Sequence, residues 1–477
     1  MIVKFQQYID GQWLDALNGN TWDVINPATE EKIATVPFGN AVDARRALDA
    51  AQKAQSAWAE RTVYERAAIL KKAADLVRER ADELAPIMTQ ECGKPLSESR
   101  GEWVVTGDLL EWFAEEGKRA YGRTIPNRRA GKRLMVVYHP IGVIASITAW
   151  NFPAWLLGRV WGAALVAGCA VVARPSELTP MSAMVLTNIL EEAGLPPGVL
   201  NLVNGEPDSI GKEFLTNPIC RKISFTGSVR VGRLLMRRAA ENLTRLSLEL
   251  GGNAPVIVFP DTDIESAVKQ SIFSKFRNNG QVCVAPQRFY VHKDVYEDFL
   301  DRTAALTRDL KVGNGLETGV NVGPLISAVH RERVEALVSE AISDGALAVT
   351  GGSRLAGSGY FYPPTVLTNI RLESRIAREE IFGPVLPIMP FRDTTEALEL
   401  ANASDYGLAA YVFTNNLNTT LKMYEGLEYG IIGINDLLPT ATEAPFGGFK
   451  QSGLGREQGH EGLMNFLETK FVSIGGL

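Results

Sequence analysis

Short apolar runs alternate with longer amphipathic segments from Pro140 onward, and this alternation limits the possible folds more than any other feature. We predict β-type runs at 142–147, 163–166 and 170–173, followed by a helix at 180–193. Strands that alternate with helices are typical of a parallel, doubly wound sheet. The sequence therefore predicts an α/β fold.

A second α/β series follows Glu249. Its predicted elements are a strand at 255–259, a helix at 264–276, a strand at 288–292 and a helix at 330–344. Upstream of both series, residues 41–85 carry apolar positions at helical spacing, which predicts two amphipathic helices. Because 477 residues exceed the size at which one core stops growing, we expect two or three domains.

Composition is that of an ordinary globular protein. Hydrophobic residues make up 45% of the chain and charged residues 22%, which is enough apolar material for large cores. A formal net charge of −6 with mixed signs argues against nucleic-acid binding, which needs basic stripes. The longest charge-free stretch, 140–158, is interrupted by polar residues and a proline, so it predicts a buried strand, turn and helix and not a membrane span.

Cysteine and histidine usage indicates the cellular compartment and whether a metal site is expected. The four cysteines are scattered singly without a Cys-x-x-Cys pair, which is typical of reduced thiols in a cytoplasmic protein. Residues 1–13 alternate like a strand and lack a basic region followed by an apolar core, so we predict no export signal. Since the four histidines are dispersed, we predict no metal site.

Four short motifs carry residues with catalytic chemistry. Cys283 sits in a turn-forming stretch, where a cysteine is more often a small buried residue than a nucleophile. Glu249, between leucines and before a Gly pair, is either solvated at a strand end or held with a raised pKa for proton transfer. Asn151 fits a turn or an oxyanion donor equally well. Residues 227–232, a Gly-x-x-x-x-Gly turn, weakly indicate a helix N-terminus facing a pyrophosphate.

In order and spacing these motifs resemble the aldehyde dehydrogenase superfamily. The resemblance runs from YIDGQW at 8–13 to PFGGFKQSG at 445–453 and so covers essentially the whole chain. It implies a Rossmann-like cofactor domain, an α/β catalytic domain and a small β oligomerisation arm. It also implies that an aldehyde is oxidised to a carboxylic acid through a thioester, with Cys283 as nucleophile, Glu249 as general base and Asn151 as oxyanion donor.

The same resemblance implies an NAD(P) site. It places Trp150 and Ser228 beside the pyrophosphate and Glu380 and Phe382 at the nicotinamide ribose. Taken alone, Phe382 is more often a core residue and Glu380 a surface charge. The full set of cofactor positions is Thr148, Trp150, Arg174, Ser176, Glu177, Gly205, Gly227, Ser228, Gly232, Leu250, Glu380 and Phe382.

Two of these positions bear on the choice between NAD and NADP. Glu177 should accept hydrogen bonds from a ribose diol and repel a 2′-phosphate, which favours NAD. Arg174 stands where the family usually has Lys, and its guanidinium pairs well with phosphate. We therefore expect NAD as cofactor and keep NADP open.

Two arginines indicate the class of substrate. Arg159 follows Asn151 by eight residues, and Arg277 precedes Cys283 by six. In apolar surroundings an arginine needs an anionic partner. A salt bridge to a protein carboxylate is the commoner fate of one arginine, but for two that converge on one site a substrate carboxylate fits about equally well.

Residues 275–278 and the arginine after Asn-Phe-Pro resemble succinate-semialdehyde and α-ketoglutarate-semialdehyde dehydrogenases, which act on ω-oxo acids. Two positions depart from that pattern: Val160 replaces a Lys, and 286–287 reads Pro-Gln where the succinate-semialdehyde group commonly has Ala-Asn. A short hydroxyaldehyde such as lactaldehyde is the rival substrate, but lactaldehyde dehydrogenases lack the Arg277 motif. Broad-range aldehyde oxidation and a non-catalytic, crystallin-like role are also compatible with the fold, and the presence of all three catalytic positions argues against the non-catalytic role.

Domain boundaries follow from these assignments. We predict the cofactor domain at 1–120 and 139–250, the catalytic domain at 251–455, and the arm at 121–138 and 456–477 with a strand at 466–474. The arm's strand edges would be exposed in a monomer, so we expect a homodimer or homotetramer.

Overall fold

The computed structural model describes residues 5–476. Its strands are β1 Gln7–Ile9, β2 Gln12–Leu14, β3 Thr21–Ile25, β4 Lys32–Pro37, β5 Arg123–Ile125, β6 Lys132–Pro140, β7 Val143–Ile147, β8 Ala170–Arg174, β9 Leu200–Leu202, β10 Cys220–Thr226, β11 Arg245–Glu249, β12 Ala254–Val258, β13 Pro286–His292, β14 Leu347–Thr350, β15 Thr365–Thr368, β16 Val385–Phe391, β17 Tyr406–Gly407, β18 Ala409–Phe413, β19 Ile431–Ile434, β20 Phe449–Lys450, β21 Gly453–Leu454 and β22 Leu467–Gly475. Its α-helices are α1 Ala41–Glu60, α2 Val63–Glu79, α3 Ala81–Cys92, α4 Leu96–Glu116, α5 Trp155–Ala167, α6 Pro180–Ala193, α7 Pro207–Thr216, α8 Val229–Ala239, α9 Ile264–Phe276, α10 Tyr296–Arg308, α11 Ala328–Ser343, α12 Arg375–Arg378, α13 Thr394–Asn402, α14 Leu417–Gly426 and α15 Gly459–Met464.

The first sheet has the strand order β2-β1-β9-β8-β7-β10-β11-β21. Its five central strands, β9, β8, β7, β10 and β11, are parallel to one another. Alternate residues of β7 enter different cores: Ile144 packs with α2, α4, α5 and α6, whereas Val143 and Ala145 pack with α1, α7 and α8. Helices therefore cover both faces, as the predicted doubly wound sheet requires.

The second sheet has the order β14-β15-β16-β13-β12-β18-β19 and is parallel except for the β14–β15 pair. Helix α9 spans the predicted range 264–276, and β13 contains the predicted strand 288–292. The Gly-rich stretch 351–359 is a loop between β14 and β15.

Two predicted elements are wrong in type or number. Residues 163–166 are not a strand but the end of α5, which is buried on nearly every side; a short apolar run has no periodicity that separates a buried helix from a buried strand. Residues 41–85 belong to three helices and not two. The break after α1 is set by Thr62, which forms a capping box with Glu65 and starts α2.

A third, antiparallel sheet of order β22-β6-β5 stands apart from the two parallel sheets. Strand β22 pairs with β6 along its whole length, from Leu467 opposite Pro140 to Gly475 opposite Lys132. Within the C-terminal segment predicted as arm, only β22 lies in this sheet. Leu463 of α15 instead joins the core that α4 and α5 share.

Candidate active site

The motifs meet where the parallel strands of the first sheet end. Residues 148–151 follow β7, and the segments 174–177, 226–228 and 249–250 begin at the last residues of β8, β10 and β11, respectively. These four strands are neighbours in the order β8-β7-β10-β11. The carboxyl edge of a parallel sheet is where open α/β folds bind ligands, so the sheet itself gathers the predicted site.

Cys283 lies between a tight turn at 277–280 and strand β13 of the second sheet. The turn at Arg277–Gly280 has left-handed backbone angles at Asn278 (φ 47°) and Asn279 (φ 60°). Asparagine adopts such angles more readily than other residues that carry a side chain, and neighbouring groups hold them here. Glu98 is one of these groups, since its carboxylate accepts from the Asn278 N–H at 2.7 Å, and the Asn279 side chain donates to the Pro324 carbonyl at 2.7 Å.

One cavity of about 510 Å³ brings most of the predicted residues together. That volume is in the usual range for a small-molecule site. Among the predicted positions it is lined by Trp150, Asn151, Arg159, Gly227, Ser228, Glu249, Leu250, Arg277, Cys283, Glu380 and Phe382. The other six, Thr148, Arg174, Ser176, Glu177, Gly205 and Gly232, lie outside this cavity.

Glycines let the catalytic segments approach closely. A Cβ at Gly252 would lie 2.6 Å from the Cys283 carbonyl oxygen, and one at Gly251 would lie 2.5 Å from Glu380 Oε2. Either contact is shorter than a real Cβ tolerates. The Gly pair after Glu249 therefore allows the base, the thiol segment and Glu380 to share one cavity.

The electrostatics of the site favour neutral forms. Burial raises the pKa of the Cys283 thiol to about 12, and the carboxylates of Glu249 and Glu380 act in the same direction, while Arg159 and Arg277 oppose them. Burial, with Glu457 as the next cause, also raises the pKa of Glu249 well above its usual value. A carboxyl group whose proton affinity is raised in this way is a stronger base near neutral pH.

Asn151 is fixed through both its side chain and its backbone. Its Nδ2 donates to the Gln281 carbonyl at 3.1 Å. Its own carbonyl accepts from Lys94 Nζ at 2.7 Å and from Asn278 Nδ2 at 2.8 Å. The amide therefore keeps one orientation relative to the loop that carries Cys283.

Arg159 already has a protein partner. Its guanidinium lies 3.0 Å from Glu457 Oε2, and both side chains are almost fully buried. It also stacks on the Phe446 ring at 4.4 Å, and Ser224 Oγ donates to the other Glu457 oxygen at 3.2 Å. Of the two fates expected for this arginine, the salt bridge to a protein carboxylate is the one observed, because a buried guanidinium requires a counter-charge.

The surroundings of Arg277 differ from those of Arg159. Its guanidinium lies 5.5 Å from the centre of the Phe152 ring and forms no ion pair within residues 5–476. Its charge lowers the pKa of Glu98, which burial otherwise raises. Arg277 therefore lines the cavity with its charge not directly paired.

Three of the predicted cofactor residues outside the cavity, Arg174, Glu177 and Gly205, form their own cluster at the ends of β8 and β9. Arg174 Nη2 donates to Glu177 at 2.6 Å and to the Gly205 carbonyl at 2.8 Å. Ser176 Oγ accepts from the Leu178 N–H at 3.3 Å. The Arg174 guanidinium, which could contact a 2′-phosphate, is thus paired with the Glu177 carboxylate, which is expected to bind a ribose diol.

Sequence reasoning missed several residues that line the cavity or contact its charged groups. Glu457 lies in a charged stretch, Arg456-Glu457-Gln458, with no apolar flank to indicate burial. His330 and Arg333 lie on α11, far beyond Cys283 in the chain, and only the tertiary fold brings them to the cavity. No local signal in the sequence distinguishes these residues from surface charges.

The cavity fits the pyrophosphate and nicotinamide-ribose part of a dinucleotide. Ser228 caps α8, whose first N–H groups and dipole suit a pyrophosphate. Thr226 Oγ1 lines the cavity as a buried hydroxyl with no partner among residues 5–476. At the other end, burial raises the pKa of Glu380 to about 7, and its carboxylate accepts from the Gly252 N–H at 3.1 Å. A carboxylate there suits a ribose diol.

Comparisons with known proteins agree with this geometry. The model of the aldehyde dehydrogenase family matches residues 13–472. The chain is 46% identical to glutarate-semialdehyde dehydrogenase of Pseudomonas aeruginosa, with 100% of this chain and 99% of the relative covered. It is 45% identical to the NADP⁺ succinate-semialdehyde dehydrogenase GabD of Escherichia coli, with 99% and 98% covered.

A solved structure is equally similar. Succinate-semialdehyde dehydrogenase from Burkholderia pseudomallei gives a TM-score of 0.98 at 47% identity, covering 99% of this chain and 98% of that one. The chain belongs to the aldehyde dehydrogenase family. The predicted family, fold and enzyme class are thereby confirmed.

Proposed function

We propose that this protein oxidises an ω-oxo acid, such as succinate or glutarate semialdehyde, to the dicarboxylic acid with NAD(P)⁺ as acceptor. The observation that carries this proposal is Arg277, a cation in the Cys283 cavity without an ion pair within residues 5–476. An arginine fork binds a carboxylate strongly. The names of the relatives at 45–46% identity, glutarate- and succinate-semialdehyde dehydrogenase, support the same class.

The first half of the reaction forms a thioester on Cys283. Glu249, with its raised proton affinity, takes the thiol proton as the sulfur attacks the aldehyde carbon. The resulting oxyanion accepts from an Asn151 amide N–H and the Cys283 backbone N–H. A nicotinamide held at the Glu380 and Phe382 end of the cavity would supply the acceptor for the hydride that leaves this carbon.

The second half releases the acid. Glu249 first gives the proton that it took from the thiol to solvent, and it then removes a proton from a water molecule as the water attacks the thioester carbon. The carbon–sulfur bond breaks, and the thiol of Cys283 is restored with that proton. Arg159 stabilises the charges of Glu457 and Glu249 through this cycle, since it lowers the pKa of Glu249.

For the cofactor, we propose that NAD is preferred and NADP is also accepted. The Glu177 carboxylate is present to bind a ribose diol. Its bond to Arg174, at 2.6 Å, neutralises both groups, so a 2′-phosphate is neither strongly repelled nor strongly attracted. We therefore expect kcat/KM with NAD⁺ to exceed that with NADP⁺, with measurable turnover with both cofactors.

Other properties predicted from the sequence stay predictions. Within residues 5–476 no helix is long and apolar enough to cross a membrane. The same residues contain no group of three or more His, Cys, Asp or Glu side chains that could hold a metal ion. A cytoplasmic location is expected from the cysteine usage.

The proposal is tested with a panel of aldehydes in which succinate and glutarate semialdehyde are compared with butyraldehyde and lactaldehyde. We expect Arg277→Ala to lower kcat/KM by about ten- to a hundredfold for the semialdehyde acids, because a charge-assisted hydrogen bond contributes about 1.5–3 kcal/mol. The neutral substrate should lose little. Arg277→Lys, which keeps the charge, should recover part of the loss.

Equal losses for butyraldehyde and succinate semialdehyde would mean that Arg277 is structural. A broad-range aldehyde dehydrogenase would then be the better description. Preference for lactaldehyde in the unmodified protein would favour a short hydroxyaldehyde as the substrate. No NADH from any aldehyde would favour the non-catalytic role.

A further inference from the structure

The loop that carries Glu380 and Phe382 lies between α12 and β16. Side chains outside the loop hold its backbone in place. Three consecutive carbonyls of this loop accept hydrogen bonds from one face of α11. Arg333 donates to the Glu380 carbonyl at 2.7 Å and to the Ile381 carbonyl at 3.0 Å. His330 Nε2 lies 2.7 Å from the Phe382 carbonyl oxygen. One helix thus fixes the backbone of both residues at the nicotinamide end of the cavity.

Three aromatic rings in and beside this loop, those of Trp150, His330 and Phe382, pack against one another. His330 lies edge to face against Trp150 and against Phe382, each at 5.9 Å between ring centres. Trp150 and Phe382 meet at 5.5 Å with their planes perpendicular. The side chain of His330 therefore contacts both aromatic residues that the cofactor would touch.

Phe382 needs such restraint. Its φ of 54° is in the left-handed region, which is unfavourable for a bulky residue and persists only where the surroundings enforce it. A neighbouring glycine, Gly383, leaves room for α11, since a Cβ there would lie 2.8 Å from Val334. Without the α11 contacts the loop would relax and move the Phe382 ring and the Glu380 carboxylate together.

The protonation state of His330 suits this role. A carbonyl oxygen only accepts, so Nε2 must carry the hydrogen. Burial lowers the pKa of His330 to about 4, and the charge of Arg333 acts in the same direction. The ring is therefore neutral through the neutral pH range and keeps a single tautomer there.

We propose that His330 and Arg333 are positioning residues that hold Glu380 and Phe382 in the geometry required by the nicotinamide ribose. This inference rests on the proposed function, because that function gives Glu380 and Phe382 their role. The two side chains act through the loop carbonyls. They therefore affect cofactor binding and hydride transfer and leave the reactivity of Cys283 without cofactor unchanged.

The test uses His330→Phe, which keeps a ring but removes the donor, and Arg333→Met, which removes two donors. Titration calorimetry on the full protein should show NAD⁺ binding weakened about three- to tenfold in His330→Phe and about tenfold or more in Arg333→Met. With the aldehyde hydrogen replaced by deuterium, the isotope effect on kcat should rise in both variants. Arg333→Lys should recover part of the affinity.

A matched control lies on the same helix. Arg331 donates to the Gly359 carbonyl at 2.8 Å, in a different loop, so Arg331→Met should leave the NAD⁺ affinity unchanged. The rate at which iodoacetamide alkylates Cys283 without cofactor should be the same in all variants. Folding is checked by thermal melting, and Arg333→Lys reports if Arg333→Met does not fold.

Unchanged NAD⁺ affinity and isotope effect in folded His330→Phe and Arg333→Met would overturn the inference. A loss of affinity in Arg331→Met equal to theirs would also overturn it, because the effect would then belong to the helix as a whole. The calorimetry needs no aldehyde. If the unmodified protein does not oxidise semialdehydes, the proposed function is contradicted. The NAD⁺ affinities of the variants can still be compared in that case.

Discussion

Glu457 is the residue that most alters the chemistry expected of Glu249. It is buried beside Arg159, and its negative charge is the largest cause, after burial, of the raised pKa of Glu249. Glu249 must lose a proton before it can act as a base, so activity should rise with pH through its pKa. The position of that rise therefore reports on Glu457.

We expect Glu457→Gln to move the acidic limb of the kcat/KM profile to lower pH. Removing the carboxylate removes the repulsion that raises the pKa of Glu249, and it leaves the Arg159 charge unpaired beside Glu249. Both changes stabilise the ionised carboxylate and lower its pKa. Initial rates measured across the pH range check the direction.

Glu265→Gln serves as the control, because that carboxylate is exposed and pairs with Lys269. Its profile should overlie that of the unmodified protein. An acidic limb that stays in place or moves to higher pH in Glu457→Gln would contradict the assignment of Glu249 as the titrating base.

At the residue scale, the sequence was sufficient where a motif resembles a family pattern and insufficient elsewhere. Cys283, Glu249 and Asn151 were predicted from their motifs, and the fold places them around one cavity. Arg159 was predicted as a substrate ligand, yet its partner Glu457 is nearly three hundred residues away in the chain. Spacing along the chain does not reveal such a pair, because the contact exists only once both sheets have formed.

Among the elements, α5 shows how distant helices build the site. Its N-cap residue, Ala154, has no side chain that can cap. Glu102 of α4 does so instead, with Oε1 accepting from the Ala154 N–H at 2.9 Å and the Trp155 N–H at 3.1 Å. The other Glu102 oxygen pairs with Lys94, which is fully buried and also holds the Asn151 carbonyl. One carboxylate thus joins the start of α5 to the oxyanion loop.

We expect Glu102→Gln to lower the free energy of unfolding by about 3–5 kcal/mol, because it removes one partner of a buried ion pair and leaves Lys94 uncompensated. The amide oxygen can still cap α5, so the loss belongs to the charge. Urea unfolding followed by tryptophan fluorescence measures it. Asp82→Asn is the comparison, since Asp82 and Arg100 form an exposed pair, and such pairs contribute about 1 kcal/mol or less. Equal effects of the two substitutions would refute this account.

Elements were predicted well where periodicity is clear. Helix α9 alternates apolar and polar residues with a helical period, and its bounds agree with the prediction. Helix α5 has twelve buried residues of thirteen and no polar face, so the sequence pattern predicts a strand for residues 163–166 near its end. A fully buried helix has no amphipathic pattern in its sequence, so the sequence pattern does not distinguish it from a buried strand.

At the scale of the whole molecule, the antiparallel sheet of β5, β6 and β22 has one long edge that no other strand of residues 5–476 covers. Strand β22 is nine residues long and, within residues 5–476, pairs only with β6. Phe471 on this strand is 60% exposed. A long unpaired strand edge with an exposed aromatic residue promotes association with another chain.

We therefore expect a homodimer or homotetramer that involves β22, and we expect Phe471→Asp to shift it toward the single chain, because burying a carboxylate at an interface is unfavourable. Light scattering at micromolar concentration measures the mass. Leu347→Asp is a matched control: Leu347 is 61% exposed and lies on β14, the edge strand of the second sheet. The mass of one chain for the unmodified protein would contradict the assembly. Equal dissociation by the two variants would contradict the assignment of the interface to β22.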